Sequence, residues 1–322
     1  MVVGTLLAVD AATLYFRAFF GLPSTFRSPD GHPVNALRGY LDMTATLLGR
    51  FSPSAYAACW DADWRPAFRV AAVPSYKTHR VAGVGAEVPA EEVPDELAPQ
   101  VPLIAEALRL LGLARVEAAG FEADDVVATL AAAWIAESRG EVMVVSGDRD
   151  LFQLVDDGRG VQVAYIGKGV GNLDVVDQAS LLRRYGVRSG RGYLDMAILR
   201  GDPSDGLPGV RGIGEKTAVD LTFRFGGLDG LLSAAADPAS VMASGHRRRL
   251  VEQADDIAAA RVAATAVADA AWWVDRPGHA GADLAALAVP SVPVDVEALA
   301  AFADRWGVRS SINRVLAALR PA

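Results

Sequence analysis

Histidine and cysteine are nearly missing from this chain: four and one, respectively, in 322 residues. A single cysteine, Cys59, excludes any internal disulfide framework and reads as a buried filler of the core. So few soft ligands also exclude a zinc site of the usual Cys and His composition. No apolar run approaches the roughly 18 uncharged residues that a membrane span needs. The apolar start, Met1 to Val9, lacks a basic flank and meets Asp10 almost at once, so it reads as a buried strand and not as a signal peptide. These absences place the protein in the cytoplasm as an expectation. An excess of positive charge is missing too, with a net charge of −8, whereas binding to phosphates normally asks for a basic face.

What is present resolves that last point. Thr5 to Val9 is an apolar stretch ending in Asp10, Ala55 to Trp60 one ending in Asp61, and Val142 to Val145 one ending near Asp148 and Asp150. Helical patterns lie between, at Leu37 to Leu48 and Pro102 to Leu111. A further helix runs from about Phe121 to Glu137, with Glu122, Asp124 and Asp125 in its first turn. Alternating strand and helix predicts an α/β fold with a mostly parallel central sheet and helices on both faces. In such sheets ligands bind beyond the carboxyl ends of the strands, which is where the acids stand.

Nine acids form the candidate centre: Asp10, Asp61, Glu122, Asp124, Asp125, Asp148, Asp150, Asp202 and Asp205. Setting these nine aside takes the net charge from −8 to +1, so the acidity of the chain is largely that of the site. Carboxylates this crowded repel one another unless cations neutralise them. All-oxygen ligation suits Mg²⁺ or Mn²⁺. Two such ions about 4 Å apart are the apparatus of two-metal phosphodiester cleavage. Taken singly, Asp10, Asp61 or Asp202 reads better as a turn residue or helix cap. The close pairs in Glu122-Ala-Asp-Asp125 and Gly147-Asp-Arg-Asp150 carry more weight, because they waste repulsive energy without a cation.

The segments GFEADDVVATLA, VVSGDRDLFQLV and LRGDPSDGLPGVRGIGEKTA, with YFRAFF near the start and SYKTHR in the middle, resemble the motif blocks of the bacterial 5′-nuclease (flap endonuclease) family. That family includes the N-terminal nuclease domain of DNA polymerase I. The similarity runs in order from Leu7 to about Phe225, and with no polymerase following it points to a stand-alone member. The resemblance implies a PIN-like nuclease core over residues 1–172, with a helical arch at about 74–100 above the active site. A helical region at 173–322 would follow, carrying a helix-hairpin-helix element at about 201–226. It further implies that Asp10, Asp61, Glu122 and Asp124 serve one metal and Asp148, Asp150 and Asp205 a second. Asp125 and Asp202 would be outer acids, and a third ion near Asp125 is left open. Lys77 would polarise the scissile phosphate, Arg80 and Arg69 contact neighbouring phosphates, and Tyr76 stack on a base, with Arg17 close by. Gly209, Gly212, Gly214, Lys216 and Thr217 would hold duplex backbone, and a K⁺ ion at the hairpin carbonyls is left open. A P-loop does not fit there, since Glu215 separates Gly214 from Lys216.

The implied activity is that of a monomeric, nucleoid-associated 5′-3′ exonuclease and flap endonuclease. Its substrates would be DNA flaps, nicked or gapped duplex, single-stranded 5′ ends and RNA-DNA hybrid, in Okazaki-fragment processing and repair. The alternatives are a PIN-like ribonuclease, which would lack the hairpin, and a noncatalytic DNA-junction binder, which would lack some of the acids. Two positions depart from the family pattern: Val81 stands where Pro is usual and Gly206 where Asn is usual. The run from His246 to Arg249 reads equally as a second duplex contact or as a solvated helix face.

Overall fold

The computed structural model describes residues 4–81, 93–279 and 281–320. Among them, seven strands form one sheet in the order β6-β5-β4-β1-β2-β3-β7. Strands β1 (Gly4–Asp10), β2 (Ala55–Cys59), β3 (Ala114–Ala118), β4 (Gly140–Ser146) and β5 (Val161–Tyr165) are parallel. The edge strands β6 (Asp174–Val176) and β7 (Trp272–Asp275) are antiparallel to their neighbours. Strand β1 is central and apolar on both sides, as a strand covered on both faces must be. Its alternate residues feed two separate cores. Leu6 and Ala8 pack with Val126, Val127 and Leu130, whereas Leu7 and Val9 pack with Leu14, Leu37 and Tyr40.

Helices α1 (Ala11–Gly21), α2 (Asn35–Phe51) and α4 (Gln100–Leu111) therefore cover one face, and α5 (Ala123–Ala136) the other. The short α3 (Ala67–Ala72) precedes the segment expected to form the arch. Of that segment, residues 74–81 form turns and one 3₁₀ turn at Thr78–Arg80. Of the helical arch expected at 74–100, residues 82–92 lie outside the described residues, while 95–99 form turns that lead into α4 at Gln100. The chain runs outward from β1 through β2 to β3, then crosses back to β4 beside β1. The carboxyl ends of β1 and β4 thus flank the switch point of the sheet, the place where such folds open a crevice.

The second half is helical, through α6 (Gln178–Tyr185), α7 (Gly190–Arg200), α8 (Glu215–Phe225), α9 (Leu228–Ala236), α10 (Ser244–Glu252) and α11 (Ala254–Ala264). It is not a separate body in the sense that a division at residue 172 suggests. Strand β6 begins just after that point, and β7 pairs with β3 through Val116 and Val274. Helices α12 (Val296–Arg305) and α13 (Arg309–Ala318) return to pack on α4 and α2. The Ala-rich tail thereby completes the core on that face of the sheet. Among the described residues no helix is long and apolar enough to cross a membrane.

Candidate active site

Asp10 ends β1 and caps α1, accepting the Thr13 N–H at 3.1 Å, the Thr13 hydroxyl, and the Ser146 hydroxyl at 2.7 Å. An Asp three residues before Thr at a strand-to-helix corner is a local cap, and the tertiary bond to Ser146 adds the second anchor. Ser146 is the last residue of β4 and accepts the Asp148 N–H at 2.9 Å; Asp148 in turn accepts that of Asp150 at 2.9 Å. Asp61, just past β2, accepts the N–H of Ala123, the first residue of α5, at 2.8 Å. Short hydrogen bonds thus stitch β1, β2, β4 and α5 together at one sheet edge.

All of the acids but Asp125 and Asp205 line two adjoining clefts that share Thr13, Phe16 and Asp148 as a wall. The inner cleft, of about 240 Å³, is lined by Asp10, Asp61, Glu122, Asp124, Asp148, Lys77 and Arg80 among others. The outer groove, of about 930 Å³, adds Asp150, Asp202, Arg17 and Arg200. Burial, opposed by the Ala123 N–H and reinforced by the charges of Asp10 and Glu122, pushes Asp61 up to about 7. Burial and then Asp148, Asp10 and Glu122 raise Asp124 well above the usual carboxylate range. Asp148 and Asp150 are raised as well, by burial first and then by neighbouring acids that include Asp205. Asp148 remains reachable by water, but it sits in a concave wall surrounded by protein atoms.

Among the described residues no three or more of these side chains converge tightly enough to chelate an ion as they stand. Asp10, Asp61 and Glu122 each spend oxygens on N–H, O–H or ammonium donors instead. The donor set nevertheless fits hard dications. It is all oxygen, it comes from four chain segments, and its members raise one another's proton affinity, which is repulsion that a cation relieves.

Three of the expected site residues are buried and paired inside the protein. Arg69 is 2% exposed and donates to both oxygens of Asp125, at 2.7 and 2.6 Å, and to the Ala263 carbonyl at 2.9 Å. Its guanidinium is thus engaged inside the protein. Asp125, fully buried, also accepts the N–H groups of Val267 at 2.8 Å and Glu122 at 3.1 Å, so both its oxygens are engaged inside the protein. Tyr76 is 2% exposed, with its hydroxyl 3.0 Å from either oxygen of Glu122, so its ring is not free to stack on a base. The common reason is a buried charge in need of partners: an isolated carboxylate or guanidinium inside a protein is costly until it is paired. Together these residues form a latch joining α3, the start of α5 and the turn after α11.

Lys77 adopts a left-handed backbone conformation (φ 48°) and donates to Glu122 at 2.9 Å, inside the inner cleft. Burial pulls its proton affinity down, but Glu122 and Asp205 overrule burial and raise it. Arg80 donates to Asp205 at 3.1 Å and to the Ser204 carbonyl at 3.2 Å. The Lys77 N–H meets the Asp205 carbonyl at 3.0 Å, and the Ser75 hydroxyl the Gly206 carbonyl at 2.8 Å. Residues 75–80 are thereby docked on the loop 202–206. Gly206 has φ +75°, and a Cβ there would collide with the Ser75 carbonyl, which accounts for glycine at this departure from the family pattern. Asp202 lies on the outer groove and caps Ser204 at 2.8 Å.

The expected hairpin joins α7 to α8. Gly209 (φ +65°) lies against the backbone of Arg200, Gly212 has φ +78°, and Gly214 caps α8. Gly212, Gly214 and Lys216 are exposed and Thr217 is half-buried. Arg17 donates to the Gly167 carbonyl at 3.4 Å on the outer groove. Sequence reasoning passed over Ser146, which anchors both Asp10 and Asp148, and Arg200, which bridges the hairpin to Glu215 at 3.1 Å and faces Asp202 at 3.9 Å. A serine closing an apolar strand just before Gly-Asp-Arg-Asp was the available signal for the first.

The sequence matches the family profiles described as "5'-3' exonuclease, N-terminal resolvase-like domain" over residues 5–186 and "5'-3' exonuclease, C-terminal SAM fold" over residues 189–276. It is 50% identical over 314 residues to a 5'-3' exonuclease of Streptomyces coelicolor, covering 97% of this chain and 99% of that one. It is 46% identical over 320 residues to a 5'-3' exonuclease of Mycobacterium tuberculosis, covering 98% and 97%. The fold is similar to that of the bacteriophage T5 D15 flap endonuclease in its complex with DNA and metal ions. That likeness has a TM-score of 0.60 and 16% identity, over 97% of this chain and 99% of that chain.

Proposed function

Since the chain belongs to the 5′-3′ exonuclease family and is a nuclease, we propose that it cuts DNA at 5′ ends and 5′ flaps by a two-metal mechanism. The observation that carries this reading is the gathering of carboxylates from four chain segments in one cleft, each raising the next. On this reading Asp10, Asp61, Glu122 and Asp124 would hold one Mg²⁺ or Mn²⁺, and Asp148, Asp150 and Asp205 the other. Bound there, such ions supply an activated water and charge stabilisation for the leaving oxygen. Lys77 and Arg80 are this chain's own contribution: two cations docked at the rim of the acid cleft, aimed where a scissile phosphate gains negative charge. The outer groove has room for a strand beside that phosphate, and the exposed hairpin offers backbone N–H groups to a duplex.

The substrate range would extend to nicked duplex and RNA-primed 5′ ends, hence to Okazaki fragments and repair flaps. The protein would work as a monomer near the nucleoid. K⁺ at the hairpin carbonyls remains part of this proposal. The ribonuclease alternative loses weight because the hairpin is present, and the noncatalytic one because all seven expected ligand acids remain.

A 5′-labelled flap, a nicked duplex and an RNA-primed duplex, incubated with Mg²⁺, Mn²⁺ or EDTA, test the reading. Short 5′ fragments are expected with either metal and none with EDTA. Undiminished cutting in EDTA would overturn the metal mechanism.

A further inference from the structure

About half of the arginines are paired with carboxylates among the described residues, and a group of cations around the hairpin is not. Arg211 and Lys216 are exposed, and no carboxylate partner of either is seen among the described residues. Arg249 joins them from α10, far away in sequence. Its guanidinium carbon would lie 3.1 Å from a Cβ at Gly212, so the side chain rests directly on the hairpin backbone, and its one recorded polar contact is to the Gly212 carbonyl at 3.5 Å. The two elements are also fixed to each other. Gln253 accepts the Arg211 N–H at 2.9 Å and donates to the Arg249 carbonyl at 3.0 Å. The neighbouring arginines differ. Arg247 turns inward, donating to the Pro238 and Ser240 carbonyls at 3.0 and 2.8 Å, and Arg248 faces Glu252 at 3.9 Å.

We propose that Arg249, held over Gly212, and Arg211 beside it bind a backbone phosphate of the duplex that the hairpin grips, making α10 part of the nucleic-acid interface. This rests on the DNA-cutting reading above, and it singles out one residue of a four-residue basic run by geometry. A guanidinium with one contact to the hairpin has further N–H groups to offer, in the fork that suits phosphate oxygens.

The test is the salt dependence of binding to a 5′-flap duplex, read by fluorescence anisotropy in EDTA with the full chain. Each phosphate contact contributes about 0.9 to the slope of log K against log salt on B-DNA. Arg249→Ala is expected to lower the magnitude of that slope by about 0.9, with Arg249→Lys retaining most of it. Arg247→Ala should leave it unchanged. A wild-type slope in Arg249→Ala, even with weaker affinity, would mean a purely structural role and overturn the inference. So would a slope lost equally in Arg247→Ala, which would make the run diffuse charge. If the unaltered protein fails to bind the flap at all, the DNA reading itself falls, an outcome distinct from both.

Discussion

Asp124 lines the inner cleft, whereas Asp125, the next residue, belongs to the latch behind it. The two regions are made of the same residue types and meet at the start of α5. In the latch every buried carboxylate oxygen has a donor, and Arg69, Tyr76 and Lys77 surround Glu122 and Asp125 with complementary charge and hydroxyl. In the cleft, acids face acids and hold protons more tightly than they would in water. One region spends its charges on holding α3, α5 and the turn after α11 together. The other leaves like charges facing one another across a cleft.

Breaking this contrast begins with its largest expected effect. Asp148→Asn should lower flap cleavage by more than about a hundredfold, comparable to removing a group that stabilises developing charge. Flap affinity in EDTA should stay within a few fold, since positioning and chemistry use different residues. Asp125→Asn should cost less, about tenfold in turnover, as a group acting only through its neighbours. Equal losses in the two variants, measured on one substrate under single turnover, would erase the distinction between cleft and latch.

Stability should sort the regions in the opposite order. Arg69→Met strands the buried Asp125 charge, so urea unfolding at neutral pH should show a loss of about 3–5 kcal/mol. Asp148→Asn relieves repulsion, so it should leave the metal-free protein as stable as before or more so. A latch variant as stable as the parent would show that the pair is not what holds α3 down.

The smallest effect is the pH response of the metal-free protein. Asp61 is raised to about 7, against about 3.9 in an unfolded chain. Between those values the folded state binds more protons than the unfolded one, so stability falls as pH rises through the window. The melting temperature in EDTA should therefore climb as pH is lowered from about 8 towards 6, and excess Mg²⁺ should flatten the trend by supplying the missing positive charge. A flat profile in EDTA would mean that Asp61 is not raised in the folded state by burial and its neighbouring acids.

The parts legible in the sequence are those where a local pattern and the tertiary role coincide. Strands β1, β2 and β4 are apolar runs that stop at an acid, because the strand is buried on both faces while its end opens on the cleft. Strand β3 carries Arg115 and Glu117 within its five residues, and their pairing with each other and with Asp275 is what makes charge tolerable there. No local signal betrays that. Strand β7 exists only through its pairing with β3, about 160 residues away in the chain. Arg69 and Asp125 were read as surface and metal-site residues because either alone would be so; buried together, they neutralise each other. The family resemblance named the acids, but which of them are already satisfied is a property of the three-dimensional packing.

The closing strand β7 also sets a schedule for synthesis. All nine candidate acids have left the ribosome by the time Asp205 emerges, yet the edge of β3 stays bare until Trp272 to Asp275 can pair with it, and α2 waits longer still for α13. A nascent chain thus carries its complete set of acids on an unfinished sheet, with an open edge of the kind that recruits other strands. Closure of the sheet edge in this way waits for residues far along the chain.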